Sequence, residues 1–183
     1  MPSQIEAYIT FTCLVSPAAP DTEGDHDDPT ITLLERRNRV IGSNFTGFRT
    51  WEGCMHLATY LLTAAGQEHI RGKRVLELGA GTGFLSILCG QYLGAEQVLA
   101  TDGDEQVIEA LRENVSLNRP RAQDGSETRL VAGGESPISA RVLRWGEELE
   151  GTWLQEEFSH ERYDVVLGAD IVSSTCPCCT LPT

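Results

Sequence analysis

Seven consecutive residues, Glu77-Leu78-Gly79-Ala80-Gly81-Thr82-Gly83, carry the first sign of chemistry. They follow one short apolar run, Arg74 to Leu78, and open another, Phe84 to Tyr92, so the glycines fall where a strand turns into a helix. Without Cβ atoms the backbone can bend tightly there and come close to a ligand. Dinucleotide-binding loops share that property, but two residues argue against one here. The dinucleotide pattern asks for a third glycine at position 84, where this chain has Phe84. Glu77 sets a carboxylate ahead of the bend, which repels a pyrophosphate and suits the cationic amino group of a methionine moiety. Asp102, just after the apolar run Gln97 to Thr101, can accept hydrogen bonds from both ribose hydroxyls, a feature that either cofactor class uses. The cofactor expected is therefore S-adenosyl-L-methionine, bound by Glu77, Gly79, Ala80, Gly81, Gly83 and Asp102, with a nicotinamide cofactor and oxidoreductase chemistry as the weaker alternative. A local role also stays open, with Glu77 capping the turn and Asp102 capping the helix that begins at Glu105.

Holding these groups together requires a sheet. From Lys73 onward, strands are expected at Arg74 to Leu78, Gln97 to Thr101, Ala140 to Leu143 and Tyr163 to Leu167, the last nearly all apolar as a buried strand would be. Helices are expected at Phe84 to Tyr92 and Glu105 to Asn118, the second with Val107, Ile108, Leu111 and Val115 on one side. The alternation defines an α/β chain with a Rossmann-like, mostly parallel sheet and helices on both faces. Upstream, Glu52 to Ala65 reads as one helix whose face carries Cys54, Leu57, Ala58, Leu61 and Leu62, with Gly66 as its stop signal. Residues 31–41 suggest a hairpin or strand pair, and residues 1–30 a flexible segment, because Pro17 to Pro29 is rich in Pro, Asp and Gly. Arg119 to Ser139 reads as a surface insertion.

Three further segments resemble the eukaryotic protein-lysine methyltransferases of family 16. Thr50-Trp51-Glu52 is similar to the family's Trp-Asp/Glu element, and Leu143-Arg144-Trp145 to its Leu-x-Trp element. Tyr163-Asp164-Val165-Val166-Leu167-Gly168-Ala169-Asp170 resembles the family's strand four and the start of its Asp/Glu-x-x-Tyr/Phe motif. The likeness spans roughly residues 31–172, which are read as the cofactor-binding domain. It implies that Trp51 lies against the cofactor, that the Trp145 indole packs by the adenine, and that Ala169 borders the same site. It also implies that Asp170 holds a lysine amine for in-line methyl transfer, although a purely local backbone bond for Asp170 stays open. Thr46-Gly47-Phe48-Arg49-Thr50-Trp51 is most similar to the branch that methylates a lysine of translation elongation factor 2, so that factor is the expected protein partner.

The pattern breaks near the end of the chain. The motif calls for an aromatic residue at position 173, where Ser173 stands, and residues 173–183 resemble nothing in the family. The expectation is a truncated product: a sheet incomplete after strand four, an exposed apolar edge, weak cofactor binding and little turnover. A non-catalytic interaction fragment that uses this edge is the alternative from another class, and a small-molecule methyltransferase is a further one.

Charge narrows the partners. Asp and Glu number 27 against 14 Lys and Arg, a net charge of −13, which argues against binding a nucleic-acid backbone and fits a basic protein surface or simple solubility. No stretch approaches the ~18 apolar residues of a membrane span. The start, Met1-Pro2-Ser3-Gln4-Ile5-Glu6, is not a basic segment followed by an apolar run. A cytoplasmic monomer with reduced thiols, away from membranes, is expected. Cys176-Pro177-Cys178-Cys179 crowds three sulfurs into four residues with no His nearby, unlike the two separated ligand pairs of a structural zinc site, so no metal is expected.

Overall fold

The computed structural model describes residues 5–14, 28–37, 46–119, 136–146, 153, 155 and 162–171. Two strands come first, β1 (Ile5–Thr12) and β2 (Thr30–Arg37), paired antiparallel. A 3₁₀ turn at Thr46–Phe48 leads into helices α1 (Glu52–Leu61) and α2 (Ala64–Ile70). The chain then alternates: β3 (Arg74–Leu78), α3 (Phe84–Ile87), β4 (Gln97–Asp102), α4 (Glu105–Leu117), β5 (Ile138–Val142) and β6 (Val165–Gly168).

The last four strands form a parallel sheet in the order β5-β4-β3-β6, flanked by helices, as the alternation of apolar runs and helical patterns requires. Right-handed crossovers put α3 and α4 on one face. Between β5 and β6, Trp153 and Gln155 are helical, and the Trp153 Nε1 donates to Val142 O at 3.1 Å. Val75, Val98, Leu99, Ala100 and Leu167 are buried. Val166, on β6, is 58% exposed, so this strand is less covered than its composition suggests. Among the described residues β6 pairs only with β3.

The expected helix over Glu52 to Ala65 is two helices. Leu62 ends α1, and Thr63 turns extended to become the N-cap of α2, its hydroxyl accepting from Gly66 N at 3.1 Å. Gly66 is therefore no stop signal. It lies inside α2, where an added Cβ would sit 2.2 Å from Tyr60 O, and the close crossing of the two helices needs its bare Cα. The helix expected at Phe84 to Tyr92 begins α-helical and closes as a single π turn, Leu88–Tyr92.

The segment expected to be flexible at residues 1–30 contains β1, so the partner of β2 lies upstream rather than within residues 31–41. Phe11 packs edge-on to Phe84 at 5.3 Å, and Cys13, Ile31 and Leu33 join the core under the sheet's helices. The far edge of β2 is satisfied by a helix. Thr32 N donates to Asn118 Oδ1 and Leu34 N to Asn114 Oδ1, both at 2.8 Å. Two strand residues rise about 6.6 Å and four helical residues about 6 Å, so an Asn-x-x-x-Asn face can match alternate strand amides. Residues 38–45, 120–135 and 172–183 lie outside the described residues, and with them most of the expected surface insertion, the cysteine cluster and the tail.

Candidate active site at the carboxyl ends of the strands

The glycine loop is pinned from all sides. Gly79, Gly81 and Gly83 have φ of 64, 52 and 83°, a region that costs an L side chain about 1–2 kcal/mol. Ala80 N donates to Thr101 O at 2.8 Å, and Gly83 N closes the turn on Ala80 O at 2.8 Å. Thr101 Oγ1 donates to Glu77 O at 2.7 Å. Thr82 shares a hydroxyl bond of 2.9 Å with Thr50, and its carbonyl accepts from Asn114 Nδ2 at 3.0 Å. Thr50 N in turn donates to the buried carboxylate of Glu35 on β2 at 3.0 Å. The loop is thus tied to the hairpin, to α4 and to the segment before α1.

Asp102 ends β4 and faces the loop. Its Oδ2 accepts from Gly81 N at 3.1 Å and its Oδ1 from Asp104 N at 3.3 Å. Burial raises its carboxyl above the ordinary value, and the backbone amides of Gly81, Asp104 and Gly103 partly offset that. The cap of α4 is Asp104, which accepts from Gln106 N at 2.7 Å and Val107 N at 3.4 Å, so capping does not occupy Asp102.

Glu77, expected either to meet a cationic amino group or to cap the turn, is held by a hydrogen bond from α3. It is 3% exposed and lies under the bend, accepting from the Ser86 hydroxyl in the first turn of α3. Strand alternation explains the direction: Val75 and Glu77 share the face of β3 that α3 covers. Burial pushes this carboxyl up to about 7, and the Ser86 contacts work against the rise. Ser86, unremarked in the sequence, is its immediate partner.

One indole, Trp145, lies beside the loop, and a second, Trp51, follows Thr50, whose hydroxyl bonds Thr82 of the loop. An ideal Cβ on Gly79 would stand 3.8 Å from the Trp145 ring and 3.1 Å from Ile171, so a side chain there would fill the space between them. Trp145 is positioned by its neighbours: Leu143 N extends the β5–β4 ladder to Asp102 O, and Arg144 Nε donates to Gly103 O at 3.1 Å. Trp51 stands at the N-cap of α1, with its Nε1 donating to Thr46 O at 2.9 Å and the Arg49 guanidinium 5.6 Å from its ring. At 45% and 46% exposure, Trp51 and Trp145 are not core residues.

Ala169 is partly buried against the core at the end of β6. Asp170 follows it with a φ of 53°, the described non-glycine residue of positive φ. Its Oδ2 accepts from Gly53 N, in the first turn of α1, at 2.7 Å. The local backbone bond left open for this residue is in fact a bond to an element 117 positions away. Among the described residues no group of three or more His, Cys, Asp or Glu side chains could hold a metal ion.

Glycine bends, an acid ending β4, two half-exposed indoles and an acid beyond β6 all meet at one edge of an open parallel sheet. This is the edge where α/β proteins receive nucleotide-like ligands, which makes the chain an α/β protein with a candidate site at its strand ends. The chain belongs to the lysine methyltransferase family, whose profile matches residues 27–177. It is 39% identical over 176 residues to protein-lysine N-methyltransferase EFM3 of Chaetomium thermophilum, covering 93% of this chain and 46% of that protein. It is 29% identical over 157 residues to EFM3 of Saccharomyces cerevisiae, covering 79% of this chain and 41% of that one. It is 35% identical over 122 residues to protein N-lysine methyltransferase METTL21A of Danio rerio, covering 67% of this chain and 46% of that protein. The chain spans less than half the length of these relatives.

Proposed function

We infer that this chain carries the S-adenosyl-L-methionine site of a protein-lysine N-methyltransferase. The observation that carries the reading is the meeting of Trp51, the Gly79–Gly83 loop, Asp102, Trp145 and Asp170 at the strand ends of a chain of this family. The residues suit the cofactor. A loop without side chains at Gly79, Gly81 and Gly83 leaves room for an amino-acid moiety, and Asp102 keeps lone pairs for ribose hydroxyls. Trp51 and Trp145 offer exposed aromatic faces to an adenine and to the methylated centre. Ala80 and Ala169 border the same space, and Glu77 contributes by bracing the loop from below.

When bound, the cofactor supplies a methyl group already activated on a sulfonium, so no covalent nucleophile is asked of the protein. The chain's own task is positioning. A lysine amine, with a free pKa of ~10.4, must lose a proton to solvent before it attacks, and apolar indole surfaces that exclude water favour the neutral form. Asp170 accepts the remaining amine hydrogens through the lone pairs it does not use on Gly53, aligning the nitrogen for attack. The net charge of −13 suits a basic protein substrate, and translation elongation factor 2 is the substrate proposed. The protein is proposed to act as a cytoplasmic monomer.

The test is transfer of labelled methyl from S-adenosylmethionine to elongation factor 2, with the modified lysine located by peptide mass spectrometry. Label on a lysine, lost with Asp102→Ala, supports the reading. Calorimetry that detects no cofactor binding to the folded chain sinks it, and label found on residues other than lysine removes the lysine assignment.

A further inference from the structure

Asp170 sits where a second task is visible, one that deepens the reading above and rests on it. Helix α1 starts at a tryptophan. Good N-caps are Ser, Thr, Asp or Asn, whose side-chain oxygen accepts from the amide two or three residues on. Trp51 has no such oxygen, its backbone is extended (φ −98°, ψ 161°), and it makes no capping bond of its own. The bond is supplied from elsewhere: Gly53, two residues past Trp51, donates its N–H to Asp170 Oδ2 at 2.7 Å. The carboxylate also benefits from the partial positive charge of the helix N-terminus.

Two further observations show that the geometry is specific. A Cβ on Gly53 would lie 2.6 and 2.7 Å from the Asp170 oxygens, so the carboxylate occupies the volume that any other residue at position 53 would fill. Asp170 holds a φ of 53°, which Asp and Asn tolerate better than other side chains, and this turn is what directs its side chain from the end of β6 to α1.

We propose that Asp170 is a positioning residue for the cofactor site as well as the carboxylate beside the amine. It caps α1 in place of its N-terminal residue, which frees that position for a tryptophan, and it fixes the Trp51 indole relative to the glycine loop. The link acts before any lysine substrate is present, so it must register in cofactor binding alone.

The experiment compares S-adenosylmethionine affinity by titration calorimetry, without a protein substrate, for wild type, Asp170→Asn, Asp170→Gly and Gly53→Ala, with circular dichroism as the folding check. Asparagine keeps the acceptor and tolerates the backbone, so Asp170→Asn stays within about twofold of wild type. Asp170→Gly keeps the backbone but removes the acceptor, and Gly53→Ala displaces the carboxylate. Each weakens binding roughly five- to tenfold, as loss of a helix cap at the ligand's edge would. Should one of the last two fail to fold, the other carries the comparison. If both bind as tightly as wild type, or if Asp170→Asn is as weak as Asp170→Gly, the capping role is wrong. A folded wild-type chain that binds no cofactor overturns the cofactor reading itself, a result separate from either of these.

Discussion

Replacing Asn114 by alanine withdraws two buried hydrogen bonds at once. Leu34 N loses its acceptor, now at 2.8 Å, and Thr82 O loses its donor, now at 3.0 Å. Asn114 is fully buried, so water does not replace either partner without opening the packing between α4, β2 and the loop. A buried polar group left without a partner costs about 1–3 kcal/mol, and two such groups cost roughly 2–6. Alanine regains roughly 0.5 kcal/mol of helix propensity over asparagine. The expected loss is therefore about 2–5 kcal/mol, against a total stability for such domains of about 5–15. Asn118 is the internal control. Its bonds to Thr32 are only part-buried, so Asn118→Ala loses about 1 kcal/mol. Urea denaturation followed by circular dichroism measures both, with an unchanged m-value required for the comparison. If Asn114→Ala loses less than about 1 kcal/mol, or less than Asn118→Ala, the bracket does not hold the hairpin to the loop as argued.

Glu77 makes stability depend on pH. Its folded carboxyl titrates near 7 against an ordinary value of 4.5, so the folded protein keeps a proton that the unfolded chain releases. Its contribution is fully present below about pH 4.5 and lost as pH rises through 7, about 3 kcal/mol in all. Glu77→Gln, which keeps an acceptor for Ser86, flattens that part of the pH–stability curve in urea titrations between pH 5 and 8, and an unchanged slope counts against the assignment. Gly83→Ala forces a side chain into a φ of 83° with its Cβ 2.8 Å from Leu111 Cγ, and lowers stability by about 2–4 kcal/mol in thermal melts. Trp145→Ala leaves the fold within about 1 kcal/mol, since the ring is 46% exposed, yet weakens S-adenosylmethionine binding at least tenfold by calorimetry. Equal affinity would remove the indole from the site.

The parts of the fold legible in sequence are those whose signals are local. The loop from Glu77 to Gly83 and the apolar side of α4 are read from spacing alone, and Val107, Ile108, Leu111 and Val115 are all buried as that spacing requires. Strand β1 carried a signal too: Ile5, Ala7, Ile9 and Phe11 alternate with Glu6, Tyr8, Thr10 and Thr12. The Pro, Asp and Gly of Pro17 to Pro29 beside it mask that alternation. Contacts between distant residues leave no such trace. Nothing near Asp170 announces Gly53, nothing near Thr50 announces Thr82, and Asn114 and Asn118 read as ordinary polar residues on a helix face. Glu77 reads as a carboxylate of consequence, but its direction depends on which face α3 covers, a tertiary fact.

The asparagine bracket also sets an order of events during synthesis. Strands β1 and β2 leave the ribosome before α4, and the amides of Thr32 and Leu34 find their acceptors only 86 and 80 residues later. Until α4 has emerged and docked, one edge of the hairpin stays open to solvent and to other chains, the state in which strand edges recruit wrong partners. Such long-range closure slows folding, so exchange protection at Thr32 and Leu34 should rise together with that of α4, and later than a hairpin closing on local contacts alone would acquire it.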